Sequence, residues 1–88
     1  MDQLSAKIFA AQLKDDLPGL DLHGLYPNDA IDKLDVFLFK NSNQDEQVLR
    51  IIYGGGTGEL GEKVRAYLSN HSLVKQIIKE HGSCLIVV

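Results

Sequence analysis

Alternating helical and extended patterns in a chain of 88 residues predict a small α/β sandwich. Apolar residues recur at helical spacing in three segments, and short runs with strand-like patterns lie between and after these segments. The predicted order is α-β-α-β-α-β-β, with two layers built over a four-stranded mixed sheet. A chain of this length is expected to form one domain with one modest core.

The first predicted helix covers residues 2–16 and ends before Pro18, which with the following glycine breaks the helical pattern. Its apolar stripe includes Leu4, Ile8 and Leu13, which we expect to pack on the sheet. Two alternatives for this helix are dimerisation through the stripe and a linker to a larger parent protein.

A short strand is predicted next, because Leu20 and Leu22 alternate with polar residues. The second helix begins at Pro27, since proline fits the first helical turn, and it ends in the polar segment 40–46. Five residues share its buried stripe: Ala30, Ile31, Leu34, Phe37 and Leu38.

Residues 47–53 are rich in β-branched side chains and predict the second strand. The third helix is expected to end near Asn70, and its apolar face consists of Leu60, Val64, Tyr67 and Leu68. The turn residues 81–83 predict a hairpin that joins 74–79 to 84–88. Residues 72–80 also fit a short helix, so this last segment has two interpretations.

Composition limits the classes of function. The net charge of −3 argues against a protein that coats nucleic acid without specificity. A local cationic surface is still possible, because five basic residues follow position 46: Arg50, Lys63, Arg65, Lys75 and Lys79.

The first 16 residues lack the apolar core of a signal peptide. The single cysteine, Cys84, lies in an apolar stretch typical of a protein core. A reducing, cytoplasmic setting is therefore expected.

The first strand carries a candidate site for acid–base chemistry. Residues two apart on a strand share a face, so Asp21 and His23 are expected side by side, opposite the buried leucines. A carboxylate beside a histidine fixes its tautomer and tunes it for general acid–base catalysis. The alternative is a solvated polar strand face, because this pattern is short and weak.

The second candidate site is the segment "GGGTG", residues 54–58, between a strand and a helix. Backbone N–H groups in such a turn face outward beside the positive end of the helix dipole and can hold a phosphate. The alternative is a tight connection without a ligand. The "GTGELG" match is weak evidence for a dinucleotide site, because the chain offers one βαβ unit instead of two. A phosphate-binding P-loop is excluded, because Glu62 stands where that motif needs lysine.

Together, "LDLHG" at 20–24, "RIIYGGGTGEL" at 50–60 and "VRAYL" at 64–68 resemble the small MutS-related (Smr) domain family. The resemblance runs from about Leu20 to the C-terminus. It implies a small α/β sandwich similar to the C-terminal domain of a translation initiation factor. It also divides the chain into an N-terminal amphipathic helix, residues 1–18, and an Smr-like domain, residues 19–88.

The resemblance implies binding to branched or structured DNA, or to RNA, and for several members nicking endonuclease activity linked to DNA repair. The residues implicated by the family pattern are Asp21, His23, Gly54, Gly56, Thr57 and Gly58. The chain departs from that pattern at three positions. Tyr53 stands in place of a histidine, Gly55 in place of lysine or arginine, and Gly61 in place of a frequent basic residue.

Under the leading hypothesis, Asp21 and His23 are catalytic and the glycine loop, with Gly55, holds a backbone phosphate. Lys63 and Arg65 are expected to reach neighbouring phosphates, and Tyr53 to donate a hydrogen bond or stack on a base. Binding of a divalent metal such as Mg²⁺ by Asp21, with or without Glu59, is left open. Two other hypotheses are a nucleic-acid-binding module without catalysis and a protein–protein adaptor whose loop is only a turn.

Overall fold

The computed structural model describes residues 3–12, 17–42 and 46–88, and it confirms the predicted order of elements. The helices are α1 (Gln3–Gln12), α2 (Pro27–Lys40) and α3 (Glu59–Ser69). The strands are β1 (Gly19–Asp21), β2 (Val48–Ile52), β3 (Gln76–Glu80) and β4 (Ser83–Val87). The predicted stripe residue Leu13 lies outside the described residues, as does part of the polar segment after α2.

The sheet is four-stranded and mixed, as predicted, with the strand order β1-β2-β4-β3. β1 runs parallel to β2, whereas β4 pairs antiparallel with both β2 and β3. The hairpin interpretation of the last segment is confirmed, because β3 pairs with β4 along its whole length. This order brings the C-terminal ends of β1 and β2 and the β3–β4 turn to one edge of the sheet.

The main core lies between the sheet and helices α2 and α3. Alternate residues of β2 and β4 face these helices, and among them Leu49, Ile51 and Ile86 are fully buried. The predicted stripes of α2 and α3 are confirmed. The stripe residues that are fully buried in the core are Ala30, Leu34, Leu38, Val64 and Leu68. The partly buried ones, which pack against the core, are Ile31, Phe37, Leu60 and Tyr67. Cys84 is fully buried here, as predicted.

Helix α1 packs on the opposite face of the sheet. Leu4 and Ile8 contact a smaller cluster formed by Val48, Leu85 and Val87. The predicted packing of the first helix on the sheet is thereby confirmed for these two residues, and α1 adds a layer behind the two-layer sandwich. Within the described ranges, no helix is long and apolar enough to cross a membrane.

A polar clip joins α2 to α3 beside the core. The carboxylate of Asp35 accepts a hydrogen bond from the hydroxyl of Tyr67, and its Oδ1 lies 3.4 Å from Nε2 of His71. The hydrogen bond to Asp35 is the main reason why the pKa of Tyr67 rises from 10.0 to about 12. Because the pKa in the folded state is the higher one, the stabilisation is complete below about pH 10.

We therefore expect the stability of the wild-type protein to fall more steeply between pH 10 and 12 than that of a Tyr67→Phe variant. Ionisation of Tyr67 breaks the clip and sets a phenolate beside a carboxylate, whereas phenylalanine has no proton to lose. Thermal unfolding at pH 9, 10, 11 and 12 measures the difference, and Tyr26→Phe is the control at an exposed tyrosine. Parallel curves for wild type and Tyr67→Phe would contradict the expectation.

Candidate nucleic-acid interface

The Asp21–His23 segment lies where β1 leaves the sheet. β1 ends at Asp21, but the N–H of Leu22 still donates to the carbonyl of Ile52 at 2.7 Å, so the extended path continues for one more residue. Leu22 is fully buried while Asp21 and His23 are exposed on the opposite side. The predicted alternation holds, although His23 lies in the turn after the strand and not in the strand itself.

Two hydrogen bonds fix the histidine to the carboxylate. Oδ1 of Asp21 accepts from the backbone N–H of His23 at 3.0 Å and lies 2.7 Å from His23 Nδ1. The side-chain bond first, and then the backbone bond, lower the pKa of Asp21, so the group is a carboxylate at neutral pH. A carboxylate only accepts, so Nδ1 carries the proton and Nε2 the lone pair. Both side chains are more than half exposed, and a ligand can reach them.

The glycine loop, residues 54–58, follows Tyr53 and connects β2 to α3. Gly54 has φ +84° and Gly58 has φ +83°, a left-handed conformation that strains any residue with a Cβ atom. Gly58 caps the N-terminus of α3, and the hydroxyl of Thr57 accepts a hydrogen bond of 3.3 Å from the N–H of Glu59. Thr57 thus satisfies one of the free N–H groups at the helix start, which leaves fewer of them for a phosphate.

The structure brings the two predicted sites together. A Cβ atom added to Gly54 would lie 3.5 Å from Cβ of His23, so the loop backbone passes directly beside the histidine. This contact follows from the topology, because the C-terminal ends of the parallel strands β1 and β2 meet at one edge of the sheet. Ligands of α/β proteins bind at such an edge.

Two grooves flank the glycine loop. The first, of about 280 Å³, lies on the side of the β1–α2 turn, and none of the described residues that line it is charged. It includes Tyr26, whose side chain is 80% exposed. The second, of about 190 Å³, lies on the side of the β3–β4 hairpin and is lined by Arg65, Lys79 and His81 together with the loop.

Tyr53 lies beneath the loop with only 6% of its surface exposed. Its hydroxyl donates to the carbonyl of Ser83 at 2.8 Å and accepts from Nη1 of Arg65 at 2.9 Å, and the Arg65 guanidinium lies 5.3 Å from the ring centroid. Burial is the main cause that raises the pKa of Tyr53. The ring supports the loop from below and is not placed to stack on a base, contrary to the prediction for this side chain.

The two cations predicted on α3 have different surroundings. Arg65 reaches the loop through Tyr53, whereas Lys63 lies among the residues of neither groove and is 3.9 Å from the carboxylate of Glu59. Glu59 and Glu62 both occupy the first turn of α3, where they stabilise the helix dipole and repel an incoming phosphate. The cationic side of the loop is therefore the hairpin side.

A preformed metal site is absent from the part of the chain that the structure describes, where no group of three or more His, Cys, Asp or Glu side chains converges. The carboxylates that suggested a divalent metal are each engaged, Asp21 with His23 and Glu59 with Lys63. Mg²⁺ is usually bound by one or two carboxylates together with water and substrate phosphates, so its participation in cutting stays a prediction.

Sequence reasoning missed Tyr26 and His81. His81 served only as a turn signal, because the sequence alone does not say that β4 lies beside β2. Once β4 pairs with β2, with Ser83 opposite Ile52, the hairpin turn must lie at the edge that carries the glycine loop. A tyrosine three residues after His23 and directly before Pro27 was the available signal for Tyr26.

Comparison with known proteins agrees with this arrangement. A family model described as the Smr domain matches residues 20–83. The chain is similar to Endonuclease MutS2 of Thermomicrobium roseum, with 36% identity over 58 residues, and to Endonuclease MutS2 of Listeria innocua, with 43% identity over 58 residues. Each match covers 66% of this chain but only 7% of the relative's length.

Two solved structures share the fold. The crystal structure of the Smr domain of Thermus thermophilus MutS2 superposes with a TM-score of 0.74 at 24% identity, covering 81% of this chain and 96% of that one. The solution structure of the B3BP Smr domain gives a TM-score of 0.67 at 26% identity, covering 94% of this chain and 87% of that one. The two-layer sandwich over a four-stranded mixed sheet is thus a known Smr domain architecture.

Proposed function

This chain belongs to the Smr domain family, and from that premise we propose that it binds branched or structured DNA or RNA and nicks the strand it holds. The observation that carries the proposal is the position of the loop backbone at Gly54 directly beside the histidine–carboxylate pair at His23. A phosphate held on the loop backbone would lie beside a histidine whose Nε2 is free to take a proton. The relatives named endonucleases support the same reaction class.

In the proposed reaction, His23 Nε2 removes the proton from the attacking hydroxyl, which is a water or, in RNA, the 2′-OH. The new P–O bond forms as the bond to the leaving oxygen breaks, and that oxygen takes its proton from solvent. Asp21 stabilises the imidazolium through Nδ1. The loop N–H groups after Gly54, whose own N–H is bonded to Gly82, stabilise the charge that develops on the phosphate oxygens.

The test is incubation of the purified protein with supercoiled plasmid, a four-way DNA junction and an RNA hairpin, each with and without Mg²⁺. We expect conversion of plasmid to the open circular form or cutting of the hairpin, and binding that weakens as salt increases. Absence of binding to every probe at low salt would overturn the proposal and favour a protein–protein adaptor.

A second candidate function is binding without cutting. It is favoured by the burial of Tyr53, which takes the place of the family histidine and has no imidazole to offer. The loop also lacks the usual cation at Gly55 and the frequent basic residue at Gly61. This candidate predicts salt-dependent binding to the same probes while every strand stays intact.

Tyr26 provides a test of how the first groove is used. We expect Tyr26→Ala to weaken binding to single-stranded or looped nucleic acid by about 1–3 kcal/mol, because a base stacks on an exposed aromatic ring there. The stability should hardly change, since the side chain is 80% exposed and makes no side-chain capping bond to α2.

Fluorescence anisotropy with a labelled RNA hairpin measures the loss of affinity, and Tyr26→Phe is the matched control that keeps the ring. Equal affinities for wild type and Tyr26→Ala would mean that no base occupies this groove. A loss shared by Tyr26→Phe would assign the contact to the hydroxyl instead.

The proposal includes nucleic acid as partner and a cytoplasmic setting. Burial raises the pKa of the Cys84 thiol to about 11, which keeps it protonated and unreactive. A lone, inert cysteine suits a reducing compartment but does not require one. The short share of each relative that this chain matches also suits a domain of a larger protein. A homodimer stays a prediction.

A further inference from the structure

The hairpin side of the glycine loop has a feature that the family pattern does not include. Nε2 of His81 lies 3.8 Å from the position that a Cβ atom would occupy on Gly55. Gly55 is the residue that stands where the family has lysine or arginine. A side chain from the β3–β4 turn thus reaches the place where the loop lacks one.

His81 is held there by the backbone. The carbonyl of Gly82 accepts hydrogen bonds from the N–H groups of Tyr53 at 3.1 Å and Gly54 at 2.9 Å, which joins the hairpin turn to the loop. Gly82 has φ +71°, and a Cβ atom there would lie 3.6–3.8 Å from the backbone of Gly54 and Gly55. The two turns are packed against each other, so the imidazole has a defined starting position.

The charges around this groove favour an anion. Arg65 from α3 and Lys79 from β3 line it with His81, and the one carboxylate among the described residues that line it is Glu80. Oε1 of Glu80 is engaged by Nε of Arg50 at 3.3 Å and by the hydroxyl of Ser83 at 3.1 Å. The other titratable groups near the loop are Tyr53, which is buried below it, and the Asp21–His23 pair beside Gly54. Glu59 and Glu62 lie in the first turn of α3, outside the residues that line this groove.

We propose that His81 supplies from the β3–β4 hairpin the cation that the glycine loop lacks at Gly55, and that with Lys79 and Arg65 it binds a second backbone phosphate of the nucleic acid. This inference rests on the proposed function and names the path of the strand. The strand passes the uncharged groove with Tyr26, crosses the loop beside His23 and enters the cationic groove. An imidazole is a cation only when it is protonated, so the proposal predicts tighter binding at lower pH.

The experiment compares binding of an RNA hairpin and a four-way DNA junction at pH 6.0 and pH 8.0 across a salt series. We expect wild type to bind more tightly at pH 6.0. His81→Gln should lose about 3- to 10-fold in affinity at pH 6.0 and less at pH 8.0. At pH 6.0 the slope of the logarithm of affinity against the logarithm of salt concentration should be smaller in magnitude by about 0.9 for duplex DNA. The fold is expected to survive, because His81 is exposed, and a thermal melt verifies it.

Two further variants complete the design. His71→Gln is the control, because this histidine contacts Asp35 and Tyr67 between α2 and α3, and its affinity should match wild type at both pH values. Adding Gly55→Lys to His81→Gln should restore tight binding at both pH values, since it returns a permanent charge to the same place. Gly55 is exposed and has no positive φ, so it tolerates lysine.

The outcomes separate the two proposals. Binding by wild type with no loss in His81→Gln at pH 6.0 would overturn the role of His81 and leave the proposed function in place. Failure of wild type to bind either probe at low salt would overturn both. A loss in His81→Gln that Gly55→Lys does not repair would also overturn the inference, because the charge is then not what His81 supplies.

Discussion

Replacing His23 by alanine is expected to slow strand cutting by about 10²–10⁴-fold, the range for loss of a general acid–base group. The reason is the fixed tautomer of the neutral imidazole, in which Nδ1–H donates a hydrogen bond to Asp21 and only Nε2 can act as the base. The side chain of His23 is 70% exposed, so its removal leaves the core intact. Alanine also keeps the Cβ atom that contacts the loop at Gly54.

Single-turnover cutting at saturating protein measures this effect without interference from binding. His71→Ala removes a histidine from the α2–α3 clip and should cut like wild type. Asp21→Asn should reduce the rate less than His23→Ala, because the amide keeps the shape but no longer stabilises an imidazolium. Unchanged cutting in His23→Ala would remove this residue from the mechanism. Cutting in neither protein, with binding retained, would favour the non-catalytic module.

The part of the site that could be predicted from sequence is the part that local geometry decides. Leu22 is buried, and so the residues on either side of it had to face outward together. The left-handed conformations of Gly54 and Gly58 explain why glycine recurs between β2 and α3. The order of helices and strands could also be predicted, because the hydrophobic periodicity of each element depends only on consecutive residues.

Two features of the site could not be predicted, namely the position of His81 and the burial of Tyr53. The first depends on the strand order and the second on the direction in which a side chain points. His81 meets the loop only because β4 lies next to β2, a pairing between residues more than 30 positions apart. Tyr53 was predicted to face a ligand, but it precedes the loop on the inward side of β2 and is buried with Ile51. A polar group at the end of a strand can face either way, and only its tertiary contacts with Ser83 and Arg65 decide.

The burial of Tyr53 also links two of the three departures from the family pattern. A Cβ atom on Gly61 would lie 2.7 Å from Cε1 and 2.8 Å from Cδ1 of the Tyr53 ring. The tyrosine therefore fits beneath the loop only because position 61 has no side chain. A smaller imidazole ring at position 53 is expected to leave room for a side chain at position 61. Tyr53 and Gly61 are thus expected to be one coupled change.

We expect Gly61→Lys to lower the free energy of unfolding by about 1–3 kcal/mol, the usual cost of overpacking a filled site. The ring cannot move aside cheaply, because its hydroxyl is bonded to Ser83 and Arg65. Chemical denaturation of the variant measures the loss. Gly56→Lys is the matched control, since a Cβ atom at Gly56 meets nothing within 4 Å and this glycine has no positive φ.

The decisive variant combines Gly61→Lys with Tyr53→His. If the two positions are coupled, the double variant should be more stable than the sum of the single losses by about 0.5–3 kcal/mol, the range for residues in contact. It should also bind the RNA hairpin more tightly, because it returns a cation and an imidazole to the loop. Additive losses would mean that histidine does not make room for lysine, and that Tyr53 and Gly61 changed independently.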